Sequence, residues 1–251
     1  MGHVTDRSTP AHPTIHIPGG RVRLAGRRRA ARLLAASVTS LALAGTLGLA
    51  GCTGTRPVHQ VEASGDAAYD RGDFVLARSE YGEVVDRYPG DWRAQYRFGL
   101  TCLELGAWDS ARTALKVAVD RRPENPDVAD AYARALFHAG DREALVSFLR
   151  GRTKDPGSTR DWVRSAVWQD RIGDLDAALA AVETAIEISD GQSAEPYIVA
   201  ARLAEKLGDR ETAVRRLRQA YGIAPGDEEV EAAMEALGEI PGPSYALPPS
   251  R

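Results

Sequence analysis

A glycine followed by aspartate or alanine recurs at Gly72-Asp73, Gly106-Ala107, Gly140-Asp141, Gly173-Asp174 and Gly208-Asp209, with spacings of 34, 34, 33 and 35 residues. No other feature restricts the fold as tightly, because a fixed period of this length means one supersecondary unit repeated and stacked. Each glycine can end a helix in a left-handed turn so that a second helix folds back. Seven residues before it stand Gly65, Gly99, Ala133, Ala166 and Ala201, and five after it Ala77, Ala111, Ala178 and Ala213. Small residues at both places let paired helices approach closely. A bulkier residue follows at nine after: Tyr81, Leu115, Val182 and Leu217. Repeat three fits this pattern once one residue is skipped after Asp141, which brings Ala144, Phe148 and Pro156 into register. Proline stops the second helix at Pro89, Pro123, Pro156 and Pro225, where it cannot continue the helix, and Asp190-Gly191 takes that place in repeat four.

The pattern predicts helix pairs over 59–87, 92–121, 126–150, 159–188 and 194–223, and a final helix near 227–237 capped by Asp227. Glu228 and Glu229 suit the positive end of that helix. Residues 239–251 hold four prolines and are expected to be a disordered tail.

The N-terminal part reads as an address. Arg27, Arg28, Arg29 and Arg32 precede an uncharged run from Leu33 to Gly51, the order of an export signal. The run is mildly hydrophobic, which favours a cleaved signal over a retained span. Residues 1–21 are polar and suggest an overlong start. With seven Arg and one acid in residues 1–51, the chain from Cys52 onward keeps 25 basic and 34 acidic residues, a net of −9. An acidic body argues against general nucleic-acid binding, which needs clustered basic surface. Two cysteines make no disulfide framework, and the histidines do not cluster with metal-ligand spacing. No catalytic motif, cofactor site or small-molecule substrate site is expected, so the chain reads as a non-enzyme. Cys102 reads as a buried thiol, and the four tryptophans as packing residues.

Leu49-Ala50-Gly51-Cys52 resembles the lipobox of bacterial lipoproteins. The resemblance implies a signal over 1–51, lipid on the Cys52 thiol, and a short linker over 52–57. Acyl chains would then hold the protein at the membrane. Thr53 in place of aspartate points to the outer membrane, facing the periplasm. The repeats resemble the tetratricopeptide repeat (TPR) over about residues 58–225, with the domain running to 238. This implies an all-α, right-handed superhelix of about five TPR helix-turn-helix units with a C-terminal capping helix.

Family geometry places a peptide-binding groove on the first helices of the pairs. The residues it selects here are Arg93, Tyr96, Arg97, Leu100, Arg134, Phe137, His138, Arg160, Arg164, Val167, Arg171 and Arg202. Two readings stay open: an arginine-rimmed apolar strip for an acidic client peptide, or arginines paired with neighbouring acids. Glu62, Asp66 and Asp70 break the basic trend in repeat one. The layout resembles the TPR lipoproteins of tight-adherence (Flp) pilus and type IV pilus assembly. That implies a membrane-anchored scaffold binding other envelope proteins; the alternative is a periplasmic adaptor recruiting cell-wall enzymes.

Overall fold

In the computed structural model, which describes residues 55–154 and 157–249, eleven α-helices and no strand occur among the described residues. Five antiparallel pairs follow one another: α1 (Val58–Asp70) with α2 (Phe74–Arg87), α3 (Trp92–Glu104) with α4 (Trp108–Arg121), α5 (Pro126–His138) with α6 (Arg142–Arg152), α7 (Thr159–Arg171) with α8 (Leu175–Ser189), and α9 (Glu195–Lys206) with α10 (Arg210–Ile223). The single helix α11 (Glu228–Ala236) follows, then a short 3-10 turn at Pro243–Tyr245. The lipobox, Cys52, the signal segment and Pro156 lie outside the described residues. No helix among the described residues is long and apolar enough to cross a membrane.

All five turn glycines have positive φ, between 69° and 82°. The residue after the glycine then caps the second helix. Asp73, Asp141, Asp174 and Asp209 each accept a hydrogen bond from the backbone N–H three residues on. Between the helices of a pair, the small and bulky places meet. A Cβ on Gly99 would lie 2.5 Å from Leu115 Cγ, and one on Gly65 2.7 Å from Tyr81 Cε1. Burial of these residues joins the pairs into continuous apolar clusters. One runs through repeats two and three and reaches Trp168; another runs from Val163 to Leu237. Cys102 lies fully buried in the first, where burial raises its thiol pKa.

Two expectations are corrected here. Repeat three needs no skipped residue. Leu145 and Leu149, five and nine residues after Gly140, are fully buried, while Ala144 and Phe148 are only partly covered. A leucine thus stands where the other repeats have alanine, and it holds α6 off α5. The backbones of this pair come together over a shorter stretch than those of any other. The opening leaves an outer hollow of about 490 Å³ among α4, α5 and α6, lined by Lys116, Val119, Asp120, Tyr132 and Phe148. Arg152 ties the far end of α6 down, donating to the Pro123 carbonyl and to Asp161 Oδ1 at 2.8 Å.

The tail over 239–249 is not a free disordered segment either. It lies along α10, where the Leu247 N–H donates to the Arg218 carbonyl at 3.0 Å and Arg218 Nε donates to the Tyr245 carbonyl at 2.8 Å. Its prolines favour extended backbone, and α10 supplies partners for that backbone.

Candidate functional site

The first helices of the pairs form one wall, with α3, α5, α7 and α9 each touching the next in line. Charges along this wall pair across adjacent helices. Arg97 on α3 meets Asp66 on α1 at 2.9 Å, and Arg134 on α5 meets Glu104 on α3 at 2.9 Å. Arg160 on α7 meets Asp127 and Asp130 on α5 at 3.2 and 3.1 Å. Lys206 on α9 meets Asp170 on α7 at 2.6 Å, and Arg202 pairs with Glu229 on α11. Each side chain is partly exposed, so a single rung contributes little on its own.

Of the two open readings, that of arginines paired with neighbouring acids therefore describes Arg97, Arg134, Arg160, Arg164 and Arg202. Arg164 departs furthest from a groove residue. It is 4% exposed, pairs with Asp161 at 2.5 Å and with Asp130, and donates to the Pro126 carbonyl at 3.2 Å. Burial works against the charge on Asp161, yet hydrogen bonds from Ser158 and Arg152 outweigh it and hold the carboxyl below the usual carboxylate range. A carboxylate at position 164 would face Asp130 and Asp161 at close range, so substitution there tests stability rather than binding. Arg93 and Arg171 form no ion pair among the described residues; their guanidinium groups lie 4.9 and 4.6 Å from the ring centroids of Trp92 and Trp168. His138 stacks on Trp108 of α4, with ring centroids 4.6 Å apart. Phe137 packs against Trp168 at 5.3 Å.

What the wall leaves open is a set of recesses between successive first helices. Between α1 and α3, Tyr69, Tyr81, Tyr96, Leu100, Asp66, Asp70 and Arg97 line a hollow of about 390 Å³. The Tyr81 hydroxyl donates to Asp66 Oδ1 at 2.6 Å, and burial together with that carboxylate pushes its pKa well up. Burial likewise raises Tyr96. Both phenols therefore stay neutral donors at ordinary pH, and Asp70 adds an exposed carboxylate at the mouth. Around α7, Val163, Val167, Trp168, Arg160, Arg164, Arg171, Asp130 and Glu195 line a smaller recess of about 230 Å³. Beyond it, Val163, Val167, Ile198, Ile223 and Arg202 border a third, of about 610 Å³, with Glu195, Asp227 and Glu229 at the edge.

Seven of the sequence-selected residues line the first two recesses, and Arg202 borders the third. Tyr96, Arg97 and Leu100 share the first recess; Arg160, Arg164, Val167 and Arg171 share the second. Arg93, Arg134, Phe137 and His138 line none of the three. Tyr69 and Tyr81 were not selected, although Tyr69 stands three residues before Gly72, as Phe137 does before Gly140. The acids on the preceding repeat stand 30 to 34 residues before the arginines they meet, Asp66 before Arg97, Glu104 before Arg134, and Asp127 and Asp130 before Arg160 and Arg164, whereas Asp161 stands three before Arg164. No group of three or more metal-ligating side chains occurs among the described residues.

Residues 63–126 match the family model of the tetratricopeptide repeat. No curated protein sequence matches the chain. Among solved structures, the chain is similar to a thermophilic TPR protein of Thermus thermophilus, with 20% identity and a TM-score of 0.52 over 72% of this chain and 98% of that one. A tetratricopeptide repeat protein from Parabacteroides merdae gives 15% identity and a TM-score of 0.53, over 76% and 74% of the two chains. MamA from Desulfovibrio magneticus gives 14% and 0.51, over 68% and 97%. Residues 63–126 thus match the tetratricopeptide repeat by sequence, and the five helix pairs share the all-helical fold of the tetratricopeptide-repeat proteins they resemble.

Proposed function

We propose that this protein is a lipid-anchored scaffold of the cell envelope whose wall of first helices grips a segment of a client protein during assembly of a pilus or secretion machine. The recess between α1 and α3 carries this reading. It carries more aromatic rings than the other two recesses described, it combines the neutral Tyr96 hydroxyl with Leu100, and its arginine is already satisfied by Asp66. Selection by apolar side chains and hydroxyl donors fits it better than selection by acidic character, because no unpaired arginine lines it. The anchor rests on Leu49-Ala50-Gly51-Cys52, and the envelope setting follows from the anchor.

Two variants test the parts separately. Cys52→Ser is expected to abolish labelling by an alkyne fatty acid and release the protein from membranes; equal labelling would end the lipoprotein reading. Tyr96→Ala in the anchored protein is expected to lose envelope partners from a detergent pull-down while the helical spectrum persists. A hot-spot aromatic is worth about 1 to 2 kcal/mol or more of binding. Pilin or secretin subunits among the lost partners would support the assembly role, and peptidoglycan enzymes would replace it with an adaptor. An unchanged partner set would move the client site elsewhere.

A further inference from the structure

Arg218 and Gly222 stand ten and fourteen residues past the turn glycine Gly208. In repeat two the same places are Lys116 and Asp120, which face α6 across the outer hollow. On an interior repeat, then, this face of the second helix looks at the second helix of the next repeat. The α11 helix is the first helix of a sixth unit, and among the described residues only the short 3-10 turn follows it. The tail lies on this face of α10. Arg218 donates to the Tyr245 carbonyl, accepts the Leu247 N–H, and lies 5.5 Å from the Tyr245 ring, which packs on the apolar cluster of repeats four and five.

Gly222 shows that the contact is built. Glycine inside a helix is unfavourable relative to alanine, and a Cβ at this position would run into the Leu247 carbonyl oxygen. The hold is nevertheless shallow. Ser244, Ala246, Pro248 and Pro249 are exposed, Ile240 is 74% exposed, and the neck contains Gly238 and Gly242. Segments with few buried contacts open at low cost.

We propose that this face of α10 is a second binding site, for an uncharged extended segment of a client protein, and that the chain's own tail occupies it in cis until such a segment displaces it. The tail defines the chemistry required. Residues 240–249 carry no charge and present an aromatic residue two before an aliphatic one, flanked by prolines. The aromatic ring packs beside Arg218, its carbonyl meets the Arg218 side chain, and the N–H two residues on meets the helix. Flanking prolines hold the segment extended before it binds, which lowers the ordering cost.

The test uses a fluorescent peptide of residues 240–249 with the full chain. A face covered nine-tenths of the time loses about tenfold in apparent affinity. Tyr245→Ala, which loosens the cis tail, is therefore expected to bind the peptide about tenfold tighter than the unaltered chain. Adding Gly222→Ala, a substitution that favours the helix, is expected to abolish that binding with the circular dichroism spectrum unchanged. Tyr96→Ala is expected to leave it unaffected, which separates this site from the wall. No gain with Tyr245→Ala, or peptide binding indifferent to Gly222→Ala, overturns the proposal. A dimer in sedimentation that Tyr245→Ala dissociates also overturns it, by giving the face to a second copy.

Discussion

Repeats two and three are neighbours with the same plan and opposite closure. In repeat two, Gly99 leaves room for Leu115, Ala111 sits fully buried, and α3 and α4 lie against each other along their length. In repeat three, Leu145 replaces the alanine, and α6 stands off from α5. The difference lies at two places: Leu145 stands for Ala111 five residues after the turn glycine, and Ala133 for Gly99 seven residues before it. What compensates is not within the pair. Arg152 reaches back to the Pro123 carbonyl and forward to Asp161, so the loose helix is held by its neighbours on both sides. In a stacked array stability is shared between adjacent units, and one imperfect unit is carried by the next.

The largest expected effect comes from forcing repeat two open. Gly99→Val puts branched carbon where Leu115 already sits, and overpacking of this kind should cost about 3 kcal/mol in urea unfolding. A cost below about 1 kcal/mol would mean that the close pair is not the tight one. Next, Leu145→Ala should cost about 2 kcal/mol, the low end for such a truncation, because α6 has room to settle onto α5. Leu115→Ala, in the tight pair, should cost more; equal costs would dissolve the distinction between the repeats.

The smallest effect concerns the tie that holds α6. Arg152→Met should lose about 1 kcal/mol at neutral pH. Since the Asp161 carboxyl titrates below its usual range, its contribution is fully present above about pH 4 and is lost as pH falls through the lowered value. The gap between the variant and the unaltered chain in thermal midpoint should therefore shrink on going from pH 7 to pH 3. A constant gap would place the stabilisation in the Arg152 bond to Pro123 instead.

Most of the architecture could be read from residues. The turn glycines, the small residues and the prolines place ten paired helices almost to their ends, because each marks a local backbone or packing demand. Repeat three misled for a physical reason. Ala144 and Phe148 imitate the small and bulky pattern one residue early, while the true core places are held by Leu145 and Leu149, whose size the pattern does not anticipate. The wall was legible as positions and not as charge. Spacing put arginines on it, but their fate depends on acids a full repeat away, and reading Arg164 as a surface residue missed its burial against Asp161. The tail misled because proline content reports backbone stiffness and says nothing about a docking helix that offers Arg218.

The rungs between first helices have a mechanical consequence. They join successive first helices through exposed ion pairs, whereas the helices within and between the pairs are also joined by buried apolar clusters. Exposed ion pairs weaken as salt screens them, while apolar contacts do not. Raising ionic strength is thus expected to loosen the links between first helices while the helical content persists.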